Sequence, residues 1–261
     1  MRLISSRRLV VLGYHAIADH REDAVLAKWS VTPELFAAQL DAIAAAGWSF
    51  VGLDTVYAAL AGDRDLPRRA VLLTFDDAYA DLVAGALPAM ARHGAPGVVF
   101  VVAGKVGASN SWDHEQGTKS VALLDAAGLQ AAVAGGFEVG SHTMGHRPLG
   151  RVPKEELPAE LVDSAARLEQ LGFPRPRAFA YPYGDSNAKL AAAVEDAGYE
   201  LAFTINTGAI TAADAGNRYL LPRVVVLGTD SPRDLKLKLA TAAWRPRLRR
   251  ALWARLSVEE P

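Results

Sequence analysis

Seven short apolar runs, separated by stretches patterned as helices, constrain this chain more than any other feature. The runs are "LVVLGY" (9–14), "AVLLTF" (70–75), "GVVFVVA" (97–103), "FEVGS" (137–141), "AFAYP" (178–182), "LAFTI" (201–205) and "YLLPRVVV" (219–226). Between them lie "TPELFAAQLDAIAAAG", "YADLVAGALPAMARHG", "KEELPAELVDSAARLEQLG" and "SNAKLAAAVEDAGY". In the first of these, Thr32 is placed as an N-cap, Pro33 in the first turn and Gly47 as the stop. Pro88 and Pro158 predict a separate or kinked first turn in the next two. Strands that are apolar at nearly every position lack a solvent face, so they predict a parallel sheet covered by helices on both sides. Seven strands suit a barrel better than an open sheet, although the count alone does not decide it.

No internal repeat or low-complexity linker interrupts this pattern. Residues 104–120, "GKVGASNSWDHEQGTKS", form the longest polar insertion, the kind of loop that often carries function. The pattern predicts one (β/α) domain over residues 1–242, followed by a basic amphipathic tail over 243–261. The closing stretch "LKLKLATAAWRPRLRRALWARL" reads either as a peripheral helix packing an apolar stripe on the barrel or as a segment touching a membrane surface or a lipid-linked substrate.

Charge and composition narrow the function. With 28 basic and 29 acidic residues the chain has no overall electrostatic footprint for nucleic acid. It has no cysteine, so any metal must be held by His, Asp or Glu. The apolar run in "MRLISSRRLVVLGYH" is too brief for a secretory segment, and no stretch is long and apolar enough to span a bilayer. These features predict a cytoplasmic protein, with peripheral membrane contact through the tail as an option.

The polar residues that end the strands form the second pattern. Asp76 and Asp77 follow "LLTF", His142 and His146 follow "FEVGS", Tyr183 and Gly184 follow "AFAYP", and His15 follows "VVLGY". In a (β/α) barrel such positions converge on one face, where active sites form. Adjacent carboxylates repel if both are ionised, and a divalent cation held by one of them removes that cost. Each piece alone is weak. An Asp-Asp pair is commonly a helix cap with a first-turn acid. A His-x-x-x-His pair often shares a helix face by chance, and "SHTMGH" lacks the glutamate of the zincin pattern. The combination at successive strand ends is what carries meaning.

"TFDD", "SHTMGH" and "FAYPYG" resemble the first three motifs of the polysaccharide deacetylases, the NodB-like carbohydrate esterases. "LGYHAI", "NSWD" and "LAFTINTG…LPRVVV" are similar to the branch containing the poly-β-1,6-N-acetylglucosamine deacetylases, so the resemblance extends over roughly residues 9–226. It implies a distorted, TIM-like (β/α) barrel and metal-dependent removal of an N-acetyl group from an N-acetylated sugar, oligosaccharide or polysaccharide. It also implies Asp76 as general base, Asp77, His142 and His146 as metal ligands, and a backbone N–H of Tyr183 aimed at the oxyanion. One carboxylate and two imidazoles predict zinc, with cobalt, nickel, iron or manganese as alternatives.

Two departures from the family pattern matter. Many members carry an arginine where this chain has Ala180, and Arg223 in "LPRVVV" is the candidate to replace it, against its reading as a structural arginine. Many also carry a late histidine as general acid, whereas no histidine follows His146 here. His15 takes that part by its place after the first strand and by the resemblance, in whose branch an N-terminal histidine serves as the acid. His20, His93 and His114 are less well placed. Two rival functions remain: a deacylase or deformylase of a small or lipid-linked amino sugar, and a non-catalytic carbohydrate-binding relative.

Overall fold

The computed structural model describes residues 7–112 and 117–242; the predicted tail and His114 lie outside them. All seven predicted runs form strands of one parallel sheet. These are β1 (Arg8–Tyr14), β3 (Arg69–Asp76), β4 (Gly97–Val101), β5 (Phe137–Ser141), β6 (Ala178–Ala180), β7 (Leu201–Phe203) and β8 (Val224–Val225). The spatial order is β7-β6-β5-β4-β3-β1-β8, and β2 (Ser49–Phe50), which the sequence pattern did not announce, pairs with the start of β3. A parallel bridge joins Phe203 to Leu221, and Val224 and Val225 pair with Leu12 and Gly13 of β1. One continuous segment therefore meets both edges of the sheet and draws it into a distorted barrel.

Alternation along the strands separates an inside from an outside. Leu9, Val11, Ala70, Leu72, Val98, Phe100, Ala178, Ala180, Leu201 and Phe203 form one buried cluster, joined by Val56 and Leu60 of α2 (Leu53–Ala61). The alternate residues Val10, Leu12, Val71, Leu73, Phe75, Val99 and Val101 pack instead against α1 (Pro33–Ala45), α3 (Leu82–Arg92), α4 (Ala126–Ala134) and α7 (Pro232–Ala242). Phe179, Tyr181 and Ala202 complete the outer layer with α5 (Leu157–Gln170) and α6 (Ala188–Asp196). Thr74 and Asp76 continue the inward series of β3, which places the Asp76 side chain at the C-terminal mouth of the barrel.

Local chemistry explains the helix boundaries. The Thr32 hydroxyl accepts the Leu35 N–H at 3.3 Å, capping α1 as the sequence predicts. The two prolines behave differently. A separate 3₁₀ turn, Lys154–Glu156, precedes α5, and Pro158 occupies its first turn, where a missing N–H costs nothing. Pro88 instead lies inside α3, which runs unbroken from Leu82 to Arg92. Among the described residues, no helix is long and apolar enough to cross a membrane.

Candidate active site

Asp77, His142 and His146 are all buried, and one donor atom from each lies within 4.8 Å of the others. Asp77 Oδ1 is 3.2 Å from His146 Nε2 and 3.5 Å from His142 Nε2, yet it accepts no hydrogen bond. An orphaned buried carboxylate oxygen facing two ring nitrogens is expensive in a metal-free protein and suits a shared divalent cation. The tautomer of His142 agrees. Its Nδ1 lies 2.7 Å from the Ala180 carbonyl, which can only accept, so Nδ1 carries the proton and the Nε2 lone pair faces the cluster. Burial pulls the His142 pKa down to about 4 against the opposing draw of Asp76, keeping the ring neutral at pH 7. Burial alone would raise the pKa of Asp77, but His146, His15 and His142 hold it well below the ordinary carboxylate value.

Asp76 has a different set of partners. Its two oxygens accept from Nη1 and Nη2 of Arg223, each at 2.7 Å, with the carboxylate 3% and the arginine 1% exposed. Arg223 directs two of its other donors to the Thr204 carbonyl (3.1 Å) and the Thr74 hydroxyl (3.2 Å). The pair is thus hydrogen-bonded as well as neutralised, the condition under which a buried ion pair is tolerated. Burial works against the Asp76 charge, but Arg223, with His142, keeps its pKa below the usual value. Arg223→Lys would replace a planar fork by a point charge and strand the acceptors around it. Its unfolding free energy is expected to fall by about 1–3 kcal/mol, read from the urea midpoint. An unchanged midpoint would mean the fork contributes nothing.

His15 follows β1 directly. Its ring lies 4.8 Å from that of Trp29, its buried Nδ1 has no partner, and it lies within electrostatic reach of both Asp76 and Asp77. The other described histidines are engaged by carboxylates: His20 lies 3.3 Å from Asp81, and His93 lies 2.8 Å from Asp41. Tyr183 stands in a short turn, Pro182–Gly184, with its ring 4.8 Å from that of His146. On another side of His146 packs Trp112, ring centres 4.4 Å apart. The sequence reading assigned no role to Trp29 or Trp112, although Trp112 lies in the quoted "NSWD".

Backbone geometry marks the same place independently. Among the described residues, the non-glycine residues with positive φ are Asp77 (72°), Ala78 (60°), Thr143 (69°), His146 (61°) and Tyr183 (57°). Four of them belong to the three strand-end motifs, and Ala78 directly follows Asp77. Left-handed conformations of this kind cost roughly 1–3 kcal/mol each and persist where surrounding structure enforces them, commonly at functional sites.

Comparison with known proteins accords with this geometry. The polysaccharide deacetylase family profile matches residues 63–202, more than half of the chain and including both aspartates, both histidines and Tyr183. The chain belongs to the polysaccharide deacetylase family. YxkH of Bacillus subtilis, itself named only by this family, is 26% identical over 64% of the chain; the match takes in 55% of YxkH, little more than half its length. The poly-β-1,6-N-acetyl-D-glucosamine N-deacetylase of Staphylococcus epidermidis is 25% identical over 76% of this deacetylase-family chain and 68% of its own. IcaB from Ammonifex degensii superposes with a TM-score of 0.76 at 26% identity, over 91% of this chain and 97% of that one. A distorted (β/α) barrel is therefore the fold of this chain and of its structural relative.

Proposed function

We propose that the protein is a metal-dependent hydrolase that removes the N-acetyl group from an N-acetylated amino sugar within an oligosaccharide or polysaccharide. The observation that carries this reading is the juxtaposition, at one barrel mouth, of the Asp77–His142–His146 cluster with an ionised Asp76 held by Arg223. Hydrolysis of an unactivated amide needs a water made nucleophilic, a carbonyl made electrophilic and a proton for the departing amine. Asp77, His142 and His146 would hold a divalent ion, zinc by donor type, whose Lewis acidity would supply the first two needs in part.

The remaining work falls to the chain itself. Asp76 accepts the proton of the attacking water, while Arg223 sets the plane of its carboxylate and keeps it charged. The turn at Tyr183 offers its N–H to the oxygen on which charge develops; a donor of this kind is commonly worth about 2.7–4 kcal/mol in the transition state. His15 gives a proton to the amine as the C–N bond breaks. Trp29 and Trp112 add aromatic surface against which a sugar ring can pack. The similarity to a poly-N-acetylglucosamine deacetylase favours a β-linked N-acetylglucosamine polymer as substrate.

Replacing either imidazole tests the metal cluster. His142→Ala and His146→Ala are each expected to reduce bound metal to a small fraction of the parental content with the circular dichroism spectrum retained. Full occupancy in both would remove these residues from the cluster. The substrate is tested by product analysis over acetylated and formylated amino sugars, polymers and nucleotide- or lipid-linked sugars. Free acetate from N-acetylglucosamine oligomers is expected; turnover confined to formylated or lipid-linked sugars would replace the polymer by those compounds.

A further inference from the structure

His146 reaches the cluster from a loop, and the loop is held by a residue outside all three motifs. Glu160 lies on α5, whose buried face is Glu160, Leu161, Ser164, Ala165 and Leu168. A glutamate on the apolar face of a helix, 5% exposed, needs partners to offset its desolvation. They come from the segment between the two histidines. One oxygen of Glu160, Oε2, accepts the N–H of Met144 at 3.1 Å and that of Gly145 at 2.9 Å. Its other oxygen lies 3.7 Å from the Arg147 guanidinium, just past the loop.

The opposite side of the loop is gripped as well. The N–H groups of Ala103 and Gly104, just after β4, donate to the carbonyls of Thr143 and Met144, each at 3.0 Å. The N–H of His146 donates to the Thr143 hydroxyl at 2.9 Å. Thr143 and His146 carry the strained φ angles that bring the second imidazole beside Asp77. Three successive N–H groups that no regular element could satisfy in this conformation are thus all engaged, two of them by a single carboxylate. Hydrogen bonds to an ionised acceptor are roughly twice as strong as neutral ones, enough in sum to offset left-handed backbone at two residues.

We propose that Glu160 is a positioning residue for the metal centre: its carboxylate holds the Thr143–His146 loop in the shape that turns His146 toward Asp77 and His142. The inference rests on the metal reading given above. Its consequence is that Glu160, with its contacts on the loop backbone and on Arg147, contributes to metal affinity through loop geometry. Glu160→Gln keeps one acceptor oxygen and loses the charge; Glu160→Ala leaves both N–H groups without their partner.

The test uses the full chain stripped of metal, with zinc as the probe. Zinc affinity is measured by chelator competition, and thermal midpoints are measured with chelator and with saturating zinc. Glu160→Ala is expected to weaken zinc binding about 10- to 100-fold, the usual scale for groups that orient ligands, with Glu160→Gln between it and the parent. The zinc-induced rise in midpoint should shrink in the same order, since that rise reports affinity. A residue that merely stabilises the barrel would lower both midpoints equally and leave zinc affinity unchanged, and that result overturns the proposal. Should Glu160→Ala not fold, parental affinity in Glu160→Gln and Glu160→Asp overturns it equally. If the parental chain itself binds neither zinc nor another divalent ion, the metal reading fails, and this inference with it.

Discussion

Asp76→Asn is expected to lower turnover of an N-acetylated amino sugar by about 10²- to 10⁴-fold while the protein keeps its metal. The amide matches the carboxylate in shape but cannot take a proton from water. The bidentate contact with Arg223 does not disqualify Asp76 as a base. Each carboxylate oxygen has two lone-pair sites, and the guanidinium occupies one on each, leaving the others for water. The lowered pKa keeps Asp76 ionised at neutral pH, the state that a general base needs. Asp77→Asn should do the reverse: bound metal falls, and activity falls with it. Metal analysis beside kinetics separates the two, and an exchange of phenotypes would exchange the roles.

His15→Ala is expected to cost a similar 10²- to 10⁴-fold, with metal content and fold retained. Imidazole suits proton donation near neutrality, and this ring sits at the barrel mouth within electrostatic reach of both aspartates. Its packing against Trp29 gives it a defined orientation, and the orphaned Nδ1 is a polar atom the folded chain leaves unused. The dependence on leaving group distinguishes an acid from a packing residue. An aryl amide, whose amine departs with little protonation, should lose far less rate than an N-acetyl sugar. Equal losses on both substrates, or parental rates on the sugar, would take the acid's role from His15.

The strands were legible because each is apolar along most of its length, and most of the candidate site was legible because its residues lie at or soon after the strand ends. Two features escaped for physical reasons. A two-residue strand such as Ser49–Phe50 has no period to detect, and α4 is so rich in alanine that its buried Leu129 and Ala132 barely define a face. Helix α2 does carry a local signal, since Leu53, Val56 and Leu60 have helical spacing and Gly62 ends the helix in the left-handed region. Arg223 meets Asp76 across 147 residues of sequence, a pairing that no local pattern encodes. Glu160 left a faint signal: an acid in register with Ser164 and Leu168 on the buried side of a helix. What it holds emerges only when the loop after β5 is laid against that helix.

Acetate release by metal-stripped and zinc-restored protein is the most direct measurement of the central claim, that this barrel mouth hydrolyses an N-acetyl group with a divalent ion held by Asp77, His142 and His146. The full chain is stripped with a chelator and incubated with N-acetylglucosamine oligomers, and acetate is quantified before and after zinc is returned. The account predicts release that disappears on stripping, returns with about one zinc per chain, and fails to return in His146→Ala. Undiminished release from protein shown to be metal-free would contradict it.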